Sequence, residues 1–325
     1  MTVAAKDGFD DLPDWATKLN FTAHSPSGTT RPDSKEFFEK AIARPARLRD
    51  LVGCTATAGT AVHNYVTDII AKEATQAEAF RAARATLDEH LVLEHVDGDA
   101  EKLNTIRDSI YEVPNPPGTD KKTPKRAGTV FELTCEHMLQ GVREATASSN
   151  VVDEGKWASV QFDGLQLPFI GQLDLQDRGV VEMKTKWPSM DMSVKRGWKI
   201  NSLPSHPAPE HIMQVAFYWH WLKQQSKNVP VRLVYANCRG FRIFSSEEGH
   251  ELSEARFSEA LDRMRTTARA REKLMRAACR EAAANGTSPR QELFQMIAPP
   301  DPSHFMWKNV PAEYREEAEK WWSPA

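Results

Sequence analysis

Near Trp157 the hydrophobic pattern of this chain changes period, and that change limits the folds open to it. Upstream, apolar residues recur at helical spacing. Val62, Tyr65, Val66 and Ile69 form one stripe of a predicted helix over Asp50–Ala71, and further helices are predicted over Gln76–Leu93 and Phe131–Ser148. Downstream, Trp157–Phe162 (WASVQF) alternates, Leu167–Leu175 (LPFIGQLDL) is apolar around one Gly and one Asp, and Val180–Lys186 (VVEMKTK) reads as a third strand. Helical spacing returns over Pro209–Gln225. Two more strands, Val231–Asn237 and Phe241–Ser245, flank a turn at Cys238–Gly240. Helix, three strands, helix, two strands predicts an α/β core with a central mixed β-sheet flanked by helices.

The ends read differently from the middle. Residues 1–49 are rich in Pro, Asp, Ser and Thr, with a short helical patch near Phe37–Ala43, and read as an N-terminal arm or lid. Residues 50–250 form the predicted core, and residues 251–325 a helical extension of the same domain. Glu112–Gly128 holds four prolines, two glycines and four basic residues, the composition of a mobile loop that is either a plain insertion or an element gripping a strand. Leu252–Ala284 predicts a long helix carrying Arg256, Arg263, Arg265, Arg269, Arg271, Lys273, Arg276 and Arg280, with few acidic residues after Asp262. So one-signed a run suits a face toward nucleic acid, with Arg269 and Arg276 as contacts. A solvated face or a subunit contact would use the same residues. Trp307, Trp321 and Trp322 are predicted to pack back on the core.

Composition excludes several classes. The net charge of −3 means that any surface for nucleic acid must gather its basic groups locally. Cys54, Cys135, Cys238 and Cys279 are widely spaced, so neither a disulfide framework nor a zinc site is expected. No apolar run is long enough for a membrane span and the N-terminus lacks an apolar signal segment. A cytoplasmic protein with no membrane partner is the expectation. No G-x-x-x-x-G-K-[ST] sequence is present, so a motor of the helicase type is not expected.

The chemistry concentrates in Gly171–Lys186, GQLDLQDRGVVEMKTK. With Asp177, Arg178 and Gly179 as a three-residue hairpin loop, Gly179 takes the left-handed position, residue 176 pairs with 180, and Asp174 falls opposite Glu182. Directly opposed carboxylates repel unless a cation sits between them, and hard oxygen ligands suit Mg²⁺. Lys184, two residues past Glu182, shares its face. An ammonium there can orient or deprotonate a water and stabilise charge on a phosphate. A surface hairpin with solvated ion pairs would show the same residues.

Asp174, Glu182 and Lys184 resemble the D…(E/D)-x-K signature of the PD-(D/E)XK nucleases. Gly59-Thr-Ala-Val-His63 is similar to the G-x-x-x-H motif of the RecB-like group, and Gln214-Val-Ala-Phe-Tyr218 to its Q-x-x-x-Y motif. The three occur in the family's order, over roughly residues 50–245. The resemblance implies a restriction-endonuclease-like core and a metal-dependent deoxyribonuclease of the phage or bacterial exonuclease type, acting on DNA ends in recombination and repair. It assigns Mg²⁺ or Mn²⁺ to His63, Asp174, Glu182 and the Met183 carbonyl, and water positioning to Lys184. Gln214 and Tyr218 would orient the strand or support the metal shell, and Lys186 would contact DNA. The usual Pro before the Asp is missing. The cysteine pattern of the iron–sulfur members is also missing, so no such cluster is expected. DNA is the expected partner, with a single-strand annealing or single-strand-binding protein and an oligomer both compatible. The alternatives are a site-specific or structure-specific endonuclease with the same metal site, and an idle DNA-binding module of the same fold.

Overall fold

The computed structural model describes residues 12–48, 54–91, 100–114, 128–147, 149, 152–225, 229–249, 251–308 and 310–322. Most of the basic Pro-rich stretch, 115–127, lies outside them. The helices are α1 (Asp14–Leu19), α2 (Asp33–Phe38), α3 (Cys54–Ile70), α4 (Gln76–Leu91), α5 (Ala100–Tyr111), α6 (Val130–Ala145), α7 (Pro209–Lys223), α8 (Glu254–Asn285), α9 (Pro289–Met296), α10 (Phe305–Lys308) and α11 (Ala312–Trp322). The strands are β1 (Asp153–Glu154), β2 (Trp157–Val160), β3 (Phe169–Gln172), β4 (Leu175–Gln176), β5 (Val180–Thr185), β6 (Ser189–Met190), β7 (Trp198–Lys199), β8 (Val231–Asn237) and β9 (Gly240–Ser245).

The predicted register holds at the turn. Gln176 pairs with Val180 and Leu175 with Val181. From this hairpin a five-stranded sheet grows in the order β1-β4-β5-β8-β9. β5 and β8 run parallel and the other neighbours antiparallel, so the sheet is mixed. A parallel pair needs a crossover, and α7 supplies it. β5 alternates. Val181 and Met183 join Val234 and Ala236 in the core beneath α3 and α6, while Glu182 and Lys184 point to the side of α7. α6 opens with a reciprocal capping box between Thr129 and Glu132. α5 was not anticipated. Its apolar spacing is short, but Ile110 is fully buried and Ile106 packs on the same core.

Two sequence expectations change here. Gly179 is not left-handed, since it is absent from the positive-φ glycines of the described residues. Its small size is needed instead. A Cβ there would sit 1.9 Å from the Pro230 carbonyl oxygen, the acceptor for the Val180 N–H. The turn is held by Asp177, whose carboxylate accepts from the Gly179 N–H at 2.8 Å and pairs with the buried Arg232 at 2.8 Å. The strand drawn through Leu167–Leu175 also breaks. β3 ends at Gln172, and Asp174 lies in a bend before β4.

The chain divides into two compact units. The sheet unit, residues 52–157 and 172–257, has just been described. The second joins residues 1–51, 158–171 and 258–325. The N-terminal segment read as an arm is, over the described residues, helical and largely buried there. Phe21, Phe37 and Phe38 form one hydrophobic cluster with Phe294, Trp307 and Tyr314. Trp321 and Trp322 border that cluster. Nor is α8 a uniformly basic face. Arg271 is buried and bonds to Asp33 and to the carbonyls of Gly28 and Arg31. Arg263 pairs with Glu259 and Arg265 with Asp262. Partly buried Arg276 bonds to the Glu272 carbonyl, and exposed Arg269 to that of Asp163. Helical spacing alone could not separate these roles, because partners such as Asp33 and Asp163 come from distant sequence.

Gly179→Ala tests the turn. A methyl group must displace the Pro230 carbonyl, so a loss of about 1–3 kcal/mol is expected, read as a lowered urea midpoint. An unchanged midpoint would contradict this account of the glycine.

Candidate active site

The residues singled out by motif come from three elements of the sheet unit. β5 supplies Glu182, Met183 and Lys184, and α3 supplies His63. Gln214 and Tyr218 sit one turn apart on α7. Gly59 brings α3 close to the sheet: a Cβ there would stand 3.1 Å from Thr185 Oγ1. His63, four residues on, lies on the same helix face. Its Nε2 is 3.7 Å from Asp174 Oδ1, too far for a hydrogen bond.

Asp174 does not form a ladder pair with Glu182. From its bend, its Oδ2 accepts from the Met183 N–H at 2.7 Å. Glu182 is completely buried, and its Oε1 accepts from Lys184 Nζ at 2.7 Å. The same ammonium donates to Gln214 Oε1 at 2.9 Å. Tyr218 donates to the Gln172 carbonyl at 2.6 Å. α7 therefore ties down both sides of the site. Gln214 orients Lys184, and Tyr218 fixes the chain two residues before Asp174. Both motif residues of α7 act on the protein's own groups.

Electrostatics mark the same place. Burial, and then the charge of Asp174, push the Glu182 carboxyl up from 4.5 to about 8. Burial would lower Lys184, but Glu182 and Asp174 outweigh it and raise this group, so it remains an ammonium. Burial also raises the Tyr218 phenol, with help from Glu182.

Among the described residues five buried side-chain polar atoms have no hydrogen-bond partner, and two of them, His63 Nε2 and Glu182 Oε2, lie at this site. Orphaned buried polar atoms are costly and uncommon. These two border Asp174, and a cation would satisfy both. One imidazole nitrogen among carboxylate oxygens is a donor set that Mg²⁺ or Mn²⁺ accepts. The residues thus fit a divalent metal, although among the described residues no three His, Cys, Asp or Glu side chains already converge as a closed cage.

Of the DNA contacts expected from sequence, Lys186 continues this face, its Nζ 5.8 Å from the Tyr235 ring. Arg269 and Arg276 fall in the other unit. Sequence reading missed His211 and Tyr235, joined by a 2.7 Å hydrogen bond. A His one turn before the Gln of the α7 motif was the available signal. No family model, curated protein or solved structure matches the chain.

The raised Glu182 carboxyl has a pH consequence. Its folded value of about 8 exceeds its ordinary 4.5, so the folded protein holds a proton that the unfolded chain releases. That contribution is present at low pH and is lost as pH rises through about 8. The histidines are the same in wild type and Glu182→Gln, so their titration cancels in the difference between the two profiles. Up to about pH 8 the melting temperature in EDTA should fall more steeply with pH for wild type than for Glu182→Gln. A wild-type profile no steeper than that of Glu182→Gln would remove this assignment.

Proposed function

We propose that this chain is a metal-dependent deoxyribonuclease with a PD-(D/E)XK-type core, hydrolysing phosphodiester bonds and acting as an exonuclease on DNA ends. One observation carries the reading. A fully buried carboxylate with an unpartnered oxygen stands beside a second carboxylate, an unpartnered imidazole nitrogen and a held ammonium. A packed sheet has no structural use for such a group. The order of the three sequence motifs agrees with the same reading.

His63, Asp174, Glu182 and the Met183 carbonyl would hold the Mg²⁺ or Mn²⁺. When bound, the metal would polarise the phosphate and lower the pKa of a water. The chain's own groups supply the rest. Lys184, kept charged, offers N–H donors to charge developing on the phosphate and orients the attacking water. Gln214 limits the rotamers of Lys184, and Tyr218 keeps Asp174 in place. The Met183 N–H leaves Asp174 Oδ1 turned toward His63. DNA is the partner in this proposal. The recombination and repair setting, the phage or bacterial origin and any single-strand-binding companion rest on the family resemblance alone.

The test is incubation with Mg²⁺ of two DNAs of one sequence, one linear and one covalently closed. Loss of the linear form alone is expected. Asp174→Ala and Lys184→Ala should each lower the rate by at least about 10²-fold, with the fold retained by circular dichroism. Cutting of both DNAs would replace the exonuclease by an endonuclease. Cutting of neither, with Mn²⁺ also tried, or full activity of either variant, would overturn the proposal.

A further inference from the structure

A second group of donors lies beside the carboxylates, on the α7 side of the sheet. β8 sits between β5 and β9, and the register pairs Lys184 with Tyr235 and Tyr235 with Arg242. These three occupy one row across one face. Lys186, two residues beyond Lys184, continues that face away from Glu182. α7 covers the row with His211, whose ring centroid is 5.5 Å from that of Tyr235.

The hydrogen bonds around Tyr235 favour one tautomer of His211. The buried Tyr235 oxygen accepts from the Ala208 N–H at 3.2 Å and lies 2.7 Å from His211 Nδ1. A phenol that accepts from a backbone N–H has its one proton left to donate, and Nδ1 is the acceptor in range. His211 then carries its hydrogen on Nε2. Burial, and then the charges of Lys184 and Lys186, lower its pKa to about 3 and keep it neutral. The ring is only partly buried.

The partners of the cations also matter. Lys184 gives two of its three N–H donors to Glu182 and Gln214 and keeps one for the reacting phosphate. Among the described residues, Lys186 and Arg242 have no carboxylate in ion-pair range. Lys186 sits over the Tyr235 ring, and Arg242 donates one bond to the Pro204 carbonyl. Glu210, in the first turn of α7, is the carboxylate that bears on Tyr235. An imidazole N–H, an ammonium and a guanidinium therefore meet on one face as donors. In a chain of net charge −3, such a concentration is not a matter of bulk composition.

We propose that Lys186, His211 and Arg242 form a phosphate-binding track, and that its ligand is the backbone of the nucleic-acid strand entering the Asp174–Glu182–Lys184 site. The non-bridging oxygens of a phosphodiester accept hydrogen bonds and carry charge, the complement of this donor set. Lys186 lies just past the end of β5, its N–H still bonded to the Ala236 carbonyl, so an extended chain separates it from Lys184 by about 6.6 Å, a separation on the scale of neighbouring phosphates in one strand. Lys184 meets the reacting phosphate, while Lys186, His211 and Arg242 hold the strand beside it. Tyr235 is a positioning residue, acting through the tautomer of His211. The choice of a nucleic-acid strand rests on the nuclease reading.

The test is equilibrium binding of a short labelled DNA duplex with Ca²⁺, which allows binding without requiring cleavage. His211→Ala should weaken binding roughly 10-fold, and His211→Gln, which keeps an N–H donor, should recover most of it. Lys186→Ala and Arg242→Ala should each reduce the salt slope by about one. Lys186→Ala and Arg242→Ala should leave the melting temperature unchanged, while His211→Ala should lower it because the buried Tyr235 hydroxyl loses its acceptor, so binding is compared well below the transition with the fold checked by circular dichroism. If wild type cleaves, His211→Ala should raise KM and leave kcat nearly unchanged. Equal affinity of wild type and His211→Ala overturns the track, as does no binding by wild type. A chain that binds in this His211-dependent way but cuts nothing keeps the track and loses the nuclease reading. If inorganic phosphate shifts the His211 Nε2–H resonance while the substitutions leave DNA affinity unmoved, the cluster binds free phosphate and the strand assignment falls.

Discussion

A carboxylate with no solvent exposure stands in the middle of β5, and the arrangement around it follows from that. An ion buried in a sheet costs several kcal/mol unless it is matched. Lys184 matches one oxygen of Glu182 and leaves the other without a partner. The neighbouring elements serve this pair. α7 holds the ammonium through Gln214, the Asp174 bend caps the next backbone N–H, and α3 brings up His63. Removing Lys184 or Gln214 would change the state of Glu182 as well as its surroundings.

The parallel contact of β5 with β8 extends this arrangement. It brings Tyr235 level with Lys184, and β9 brings Arg242 level with Tyr235. α7, as the crossover between β5 and β8, then covers both the carboxylate pair and the basic row. One connection therefore positions two chemically opposite groups side by side, an acidic pocket and a basic track. In the proposed reading the first would hold a cation at the reacting phosphate of a nucleic-acid strand and the second would bind the next phosphate.

The second unit shows the limit of reading charge from a helix. The basic run of α8 has the spacing of a nucleic-acid face, yet Arg271 is inside, bonded to Asp33 and two carbonyls. Glu272, next to it, accepts from the N–H groups of Gln166 and Leu167 and sits 3.3 Å from His24. These bonds join segments more than 100 residues apart, as the separations of Gln166 and Leu167 from Glu272 show. They turn what read as an arm and an extension into one packed body.

Local pattern was enough for the α/β class, the main helices and strands of the sheet unit, and the hairpin register at Gln176 and Val180, which depend on periodicity or short spacing that a chain carries wherever it folds. Asp174, Glu182 and Lys184 stand out by their spacing on one hairpin, whereas His63, Gln214 and Tyr218 stand out only by the family resemblance. The break in the strand at Asp174, the steric need for Gly179, the bonding of Gln214 to Lys184 and the row through Tyr235, Arg242 and His211 were decided only by tertiary structure. They depend on which strands become neighbours and on what approaches within a few ångströms. Glu182 belongs to both: its type and spacing were legible, but its complete burial came from the packing of α7 over β5.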